Sequence, residues 1–129
     1  MKKVLLADDK ATGRELIRAL LEQSGHEVFE ARDGAEAVRS AQEVLPDLII
    51  LDLHMPILDG YGALEELRQD QRFRATPIVA LTASARRGDR ERALEAGFTS
   101  YIAKPISLST LGGEIARLLG REVPFAGRR

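Results

Sequence analysis

Apolar residues fall into two alternating patterns along this chain. Five short runs, Val4–Ala7, Val28–Ala31, Leu48–Leu51, Ile78–Leu81 and Tyr101–Ala103, have the length of strands rather than helices. The third and fourth are apolar throughout, as a strand requires when helices cover both of its faces. Between the runs the apolar spacing widens to three and four residues. Leu16, Ile17, Leu20 and Leu21 form one stripe, and Val38, Ala41 and Leu45 another. Leu64 and Leu67 continue the pattern, and Leu108, Leu111, Ile115, Leu118 and Leu119 give the clearest example. Each stripe predicts a helix with one buried side. Polar punctuation agrees. Asp33 and Glu36 read as a cap pair opening the second helix, and Ser107 as the cap of the fifth. Gly25 and Gly97 stand where helix ends turn left-handed, and Pro46 and Pro77 stop helices ahead of strands three and four. The predicted fold is α/β, a (βα)5 doubly wound parallel sheet with right-handed crossovers. It occupies residues 1–120, and 121–129 is expected to be a flexible tail.

Composition narrows the functions open to such a domain. A length of 129 residues suits one domain, and 44% hydrophobic with 30% charged residues suits a packed core under a solvated surface. Lysine and arginine total 19 against 20 acidic residues, which gives no field for tracking nucleic acid or anionic lipid. Cysteine is absent, so disulfides, thiolate metal sites and a cysteine nucleophile are excluded. The apolar stretch after Met1-Lys2-Lys3 is too short for a signal peptide or a membrane span. A soluble, cytoplasmic protein without nucleic-acid contacts or membrane insertion is expected.

The polar residues at strand ends sharpen this picture. Open α/β sheets bind ligands beyond the carboxyl ends of their strands. Asp8 and Asp9 end strand one, Asp52 ends strand three, Thr82 ends strand four, and Lys104 follows strand five. If strands one and three are neighbours, three carboxylates converge. Two like charges 4 Å apart repel by about 4 kcal/mol at an effective dielectric near 20. Either a carboxyl keeps its proton or a cation sits among them. Magnesium, a hard ion that takes oxygen ligands, is the expected cation, with manganese as a substitute; structural zinc lacks its usual ligands here. Lys104 then offers a compact positive charge and Thr82 a hydroxyl to an anionic phosphoryl group. Lys104-Pro105 is an X-Pro bond, the kind that can be cis and so help to aim the amine.

At these residues the chain resembles the response-regulator receiver domains of two-component signalling, the CheY-like superfamily. The matching pieces are Leu6-Ala7-Asp8-Asp9, Ile50-Leu51-Asp52-Leu53-His54-Met55-Pro56 with Asp59-Gly60, Ala80-Leu81-Thr82-Ala83, and Tyr101-Ile102-Ala103-Lys104-Pro105. The 2-1-3-4-5 strand order comes from this resemblance and not from the apolar pattern. The resemblance implies that Asp52 accepts a phosphoryl group from a phosphohistidine of a kinase or phosphotransfer protein. It implies that Asp9, Asp52 and the backbone carbonyl of His54 ligate magnesium, with Asp8 acting through water. Thr82, Ala83 and Lys104 would bind the phosphoryl group. Thr82 and Tyr101 would switch together, changing the surface of helix four, strand five and helix five for a downstream protein. The stretch from Arg87 to Ile106 is similar to DivK-type single-domain regulators. A monomer or a weak phosphorylation-dependent dimer is implied, and a phosphoacceptor rather than a turnover enzyme.

Rival readings attach to the same residues. A flavin binder of this fold would need open amides and hydroxyls where Asp8-Asp9 would repel a phosphate. Aspartyl phosphatases carry an Asp-x-Asp-x-Thr pattern after strand one, which Asp8-Asp9-Lys10 does not match. A receiver module from a hybrid histidine kinase or larger regulator is the nearer alternative. Plainer roles are also open to single residues. Tyr101 can be an ordinary strand aromatic with a wet hydroxyl, and His26 and the His54 side chain read as surface groups. The run Arg86 to Arg92 reads as a solvated helix face. Met55-Pro56 and Gly60 read as turn makers, and Thr12 with Glu15 as a capping box. Ser84, with His54, flanks the site where it could help or hinder an attacking water.

Overall fold

Strands and helices alternate along the chain, and each strand is followed by a helix. The computed structural model describes residues 2–83 and 86–120, so the expected tail and Ser84 lie outside the described residues. The elements are β1 (Lys3–Ala7), α1 (Ala11–Gln23), β2 (Glu27–Ala31), α2 (Gly34–Val44), β3 (Leu48–Asp52), α3 (Gly60–Gln69), a 3-10 turn at Gln71–Phe73, β4 (Ile78–Thr82), α4 (Asp89–Ala96), β5 (Ser100–Ala103) and α5 (Leu108–Gly120). All strand pairings are parallel, and the sheet order is β2-β1-β3-β4-β5. Each strand exceeds its apolar run by one residue, because Lys3, Glu27, Asp52, Thr82 and Ser100 continue the ladder without being apolar.

The period of two along each strand divides the core in half. Val4 and Leu6 of β1, Leu48 and Ile50 of β3, and Val79 and Leu81 of β4 pack against Ile17 and Leu21 of α1 and the stripe of α5. Leu5, Ala7, Ile49, Leu51, Ile78 and Ala80 face the other way, toward α2, α3 and α4. Every residue of β3 and β4 is buried, as their unbroken apolar runs require.

The cap expectations hold at two helices. Asp33 Oδ1 accepts from the Glu36 amide at 2.8 Å, and Ser107 Oγ from the Thr110 amide at 3.3 Å. Gly25 and Gly97 have φ of 90° and 124°. Other local expectations need correction. α1 starts after Lys10, which makes no side-chain cap bond, so Thr12 lies inside the helix and forms no capping box. Leu45 leaves its stripe: it terminates α2 in a left-handed conformation and is half exposed. Leu16 and Leu108 sit at the margins of their stripes and are also exposed. Met55, in the loop between β3 and α3, is also a buried core residue that clusters with Leu51 and Leu53. His26 is half-buried rather than on the surface. Arg68 of α3 fastens the far side of the sheet, donating to the carbonyls of Phe73 at 2.6 Å, Thr76 at 2.8 Å and Gly97 at 2.9 Å.

Candidate functional site

Strand parity decides which polar residues meet. Asp52 follows Leu48 and Ile50 on the α1/α5 face of β3. Asp8 continues the same face of β1, where its amide extends the ladder to the Ala31 carbonyl at 3.1 Å. Lys104 continues that face of β5 after Ile102, with its amide on the Thr82 carbonyl at 2.7 Å. Three residues far apart in sequence therefore lean to one side of one rim. The Lys104 Nζ donates to Asp8 Oδ2 at 3.0 Å and to Asp52 Oδ2 at 2.9 Å. Burial opposes its charge, but the bonds to Asp52 and Asp8 outweigh it and hold the lysine pKa above its ordinary value.

The acidic residues differ in their settings. Asp8 has no exposed surface, Asp52 is 5% exposed, and Asp9 is open to solvent. One carboxylate oxygen from each lies within 4.8 Å of the others. Both oxygens of Asp8 are engaged, because Oδ1 accepts the Lys10 amide at 2.9 Å. Asp52 Oδ1 accepts the His54 amide at 2.9 Å, which fixes the peptide after the strand while the His54 side chain stays exposed. This donor set is hard and anionic, it excludes thiolate and imidazole, and one lysine only partly balances it. Such a set fits a divalent cation with oxygen preference.

Thr82 has the opposite parity. It follows Ile78 and Ala80 on the α3/α4 face and is 1% exposed. Tyr101, registered against Ala80, lies on that same face one strand over. The tyrosine hydroxyl is buried with no hydrogen-bond partner among the described residues, so it is not the wet hydroxyl of the plainer reading. Burial, with Asp89 nearby, raises its pKa. Ala83 is exposed at the end of β4. An open cleft of about 400 Å³ beside the rim is walled by His54, Thr82, Arg86 and Arg92 among others. The basic run is largely exposed, and two of its charges pair internally, Arg92 with Asp89 at 3.1 Å. The Lys104-Pro105 bond is cis.

Two other residues shape the rim in ways the sequence does not show, Gly60 and Arg14. A Cβ on Gly60 would stand 2.5 Å from the Asp52 carbonyl, so only glycine lets α3 begin so close to the end of β3. Gly60 is thus a close-approach residue and not a turn maker. Arg14 of α1 donates from Nη1 to the Asp8 carbonyl at 2.7 Å and from Nε to Glu30 Oε1 at 2.8 Å. A signal for it does exist: Arg14, Ile17 and Leu21 share one face of α1, and a charged residue in line with a buried stripe needs a partner.

Comparison with known proteins agrees with this geometry. Residues 4–116 match the family model described as the response regulator receiver domain. The polar-differentiation response regulators DivK of Brucella ovis and Brucella abortus are 38% identical over 119 residues, covering 92% of this chain and 97% of theirs. Among solved structures, the receiver domain of sensor histidine kinase PA1611 from Pseudomonas aeruginosa, with magnesium coordinated in its active-site cleft, is 40% identical. Its TM-score is 0.85, with 92% of this chain and 98% of that one covered. The Vibrio cholerae chemotaxis protein CheY4 is 33% identical with a TM-score of 0.86, covering 92% of this chain and 99% of its own. Among the described residues no helix is long and apolar enough to cross a membrane.

Proposed function

Because this chain belongs to the response regulator receiver domain family of two-component signalling, we propose that Asp52 accepts the phosphoryl group, from a phosphohistidine on a kinase or phosphotransfer protein. The observation that carries this reading is the Lys104 ammonium bonded to both Asp8 and Asp52, with Asp9 in reach.

In the transfer, an Asp52 carboxylate oxygen bonds to phosphorus as the phosphorus–nitrogen bond to the donor imidazole breaks. The electron pair leaves on that nitrogen, which takes up a proton. Most of the help a protein can give such a transfer is positioning and charge neutralisation. The Lys104 Nζ keeps a positive charge where the phosphoryl oxygens gather. The Thr82 hydroxyl and the Ala83 amide offer donors from the next strand end. Magnesium or manganese, held by Asp9, Asp52 and the His54 carbonyl with Asp8 acting through water, would neutralise charge between nucleophile and phosphoryl group. A shift of Thr82 toward the new group opens space on its own face, where Tyr101 has a buried hydroxyl to satisfy. The surface of α4, β5 and α5 changes with it and binds a downstream protein. The chain is a phosphoacceptor that assists its own reaction rather than a turnover enzyme.

Incubating the protein with a small acyl phosphate and magnesium tests this. Intact-mass analysis should show one added phosphoryl group on the wild type and none on Asp52→Asn. Equal labelling of the variant would mean the acceptor is another residue, and steady hydrolysis of a generic phosphomonoester would revive the phosphatase reading. A second reading, a receiver module of a hybrid histidine kinase, is favoured by the 40% identity to the kinase receiver domain. Selective phosphotransfer from a kinase domain encoded in the same polypeptide would decide for it.

A further inference from the structure

We infer that Arg14, braced by Glu30, is a positioning residue for the acidic pair, setting the direction of Asp9 through the Asp8–Asp9 peptide. This inference rests on the reading of Asp9 as a cation ligand given above.

A peptide unit is planar, so fixing its carbonyl fixes the direction in which the next residue leaves it. The Asp8 amide is tied to the Ala31 carbonyl at 3.1 Å, which sets the plane before Asp8. The Asp8 carbonyl accepts from Arg14 Nη1 at 2.7 Å, which sets the plane after it. Asp8 Oδ1 in turn holds the Lys10 amide at 2.9 Å. Asp9, exposed and between these anchors, therefore takes its exit angle from the grip on Asp8 rather than from packing of its own.

Arg14 can hold this position because its other edge is fixed. Nε donates to Glu30 Oε1 on β2, and the pair is mostly shielded, with side-chain exposures of 13% and 25%. The planar guanidinium reaches carboxylate and carbonyl at once, which an ammonium cannot do in the same geometry. Arg18, one turn on, binds the other oxygen of Glu30 and also Glu22 at 2.8 Å, and among the described residues it makes no bond to Asp8. The two arginines thus share one acid while only Arg14 joins it to the rim. Gly13, beside it, leaves room for this arrangement: a Cβ there would stand 2.9 Å from Asp8 Oδ2.

Magnesium titration of the full chain by calorimetry, without a phosphodonor, separates positioning from general stability. Outer partners that orient ligands typically alter metal affinity by 10- to 100-fold. Arg14→Ala should raise the magnesium dissociation constant about tenfold, and Arg14→Lys, which keeps the charge, should fall close to it. Arg18→Ala, which also removes an ion pair to Glu30, should stay within about twofold of wild type. Equal affinity in Arg14→Ala and wild type overturns the inference, as does an equal loss in Arg14→Ala and Arg18→Ala. If Arg14→Ala does not fold, Glu30→Gln is decisive: an unchanged constant in that variant overturns the proposal, and a raised one supports it. A wild-type protein that binds no magnesium fails the underlying reading of the site instead.

Discussion

Lys104 bridges two carboxylates and offsets their repulsion by donating to both. Asp8 and Asp52 are nearly excluded from solvent, so their mutual repulsion is weakly screened, and among the described residues the Lys104 ammonium is the one cation paired with either side chain. Removing one member of a buried ion pair leaves an uncompensated charge and typically costs 3–5 kcal/mol. Lys104→Met should therefore destabilise the metal-free protein by about 3 kcal/mol, measured by urea unfolding, and millimolar magnesium should recover much of the loss. The same variant should bind magnesium at least as tightly as wild type yet take up phosphate from an acyl phosphate far more slowly. Magnesium binding that disappears with the lysine would show that the amine builds the site rather than serving the transfer. Residues of this kind were legible early. A lysine after one strand and aspartates after two others have no structural reason to share an edge, and open sheets place ligands there. Arg68 was not legible, because arginine on a helix reads as solvated until its distant carbonyl partners are known, and for Arg14 the sequence signals only that it needs a partner, not which one.

Among the elements, β5 and α5 are joined by a polar clasp at the edge of an otherwise apolar layer. Glu114 accepts from the buried Ser100 hydroxyl at 2.6 Å and from Arg117 Nη2 at 2.6 Å. The Arg117 bond, then that of Ser100, pulls its pKa from the usual 4.5 down to about 2. A carboxyl with a depressed folded pKa adds stability above its ordinary value and loses it as the pH falls toward the folded one. The melting-temperature difference between wild type and Glu114→Gln should be largest near neutrality and shrink between about pH 4.5 and about pH 2. A difference independent of pH would assign the effect to packing. The strand edges of this layer were readable from apolar runs, but helix limits were less so. Leu45 fits its stripe by spacing yet falls after the last turn of α2, since periodicity alone does not tell a helical residue from the left-handed one that ends it. Gly60 likewise shows its reason only when α3 and the end of β3 are seen 2.5 Å apart at the missing Cβ.

For the whole molecule, the 2-1-3-4-5 order assigns distinct duties to its two faces. The α1/α5 side carries Asp8, Asp52 and Lys104, and the α3/α4 side carries Thr82 and Tyr101. The order itself could not be read from the apolar pattern, which is the same for any arrangement of five covered strands. It became legible only through the motifs that the family shares. The placement of Lys104 has one more consequence. The sequence contains just four lysines, and three of them, Lys2, Lys3 and Lys10, lie within the first ten residues. Every other basic residue is an arginine, which ordinary amine reagents ignore. Acylating reagents thus report on the rim almost alone once the amino-terminal peptide is set aside. With its Nζ bonded to two carboxylates and its side chain 21% exposed, Lys104 should be modified much more slowly than Lys10. Peptide mass spectrometry should find that gap narrowed in Asp52→Asn, so a native chain carries its own footprinting probe at the carboxyl rim of its sheet.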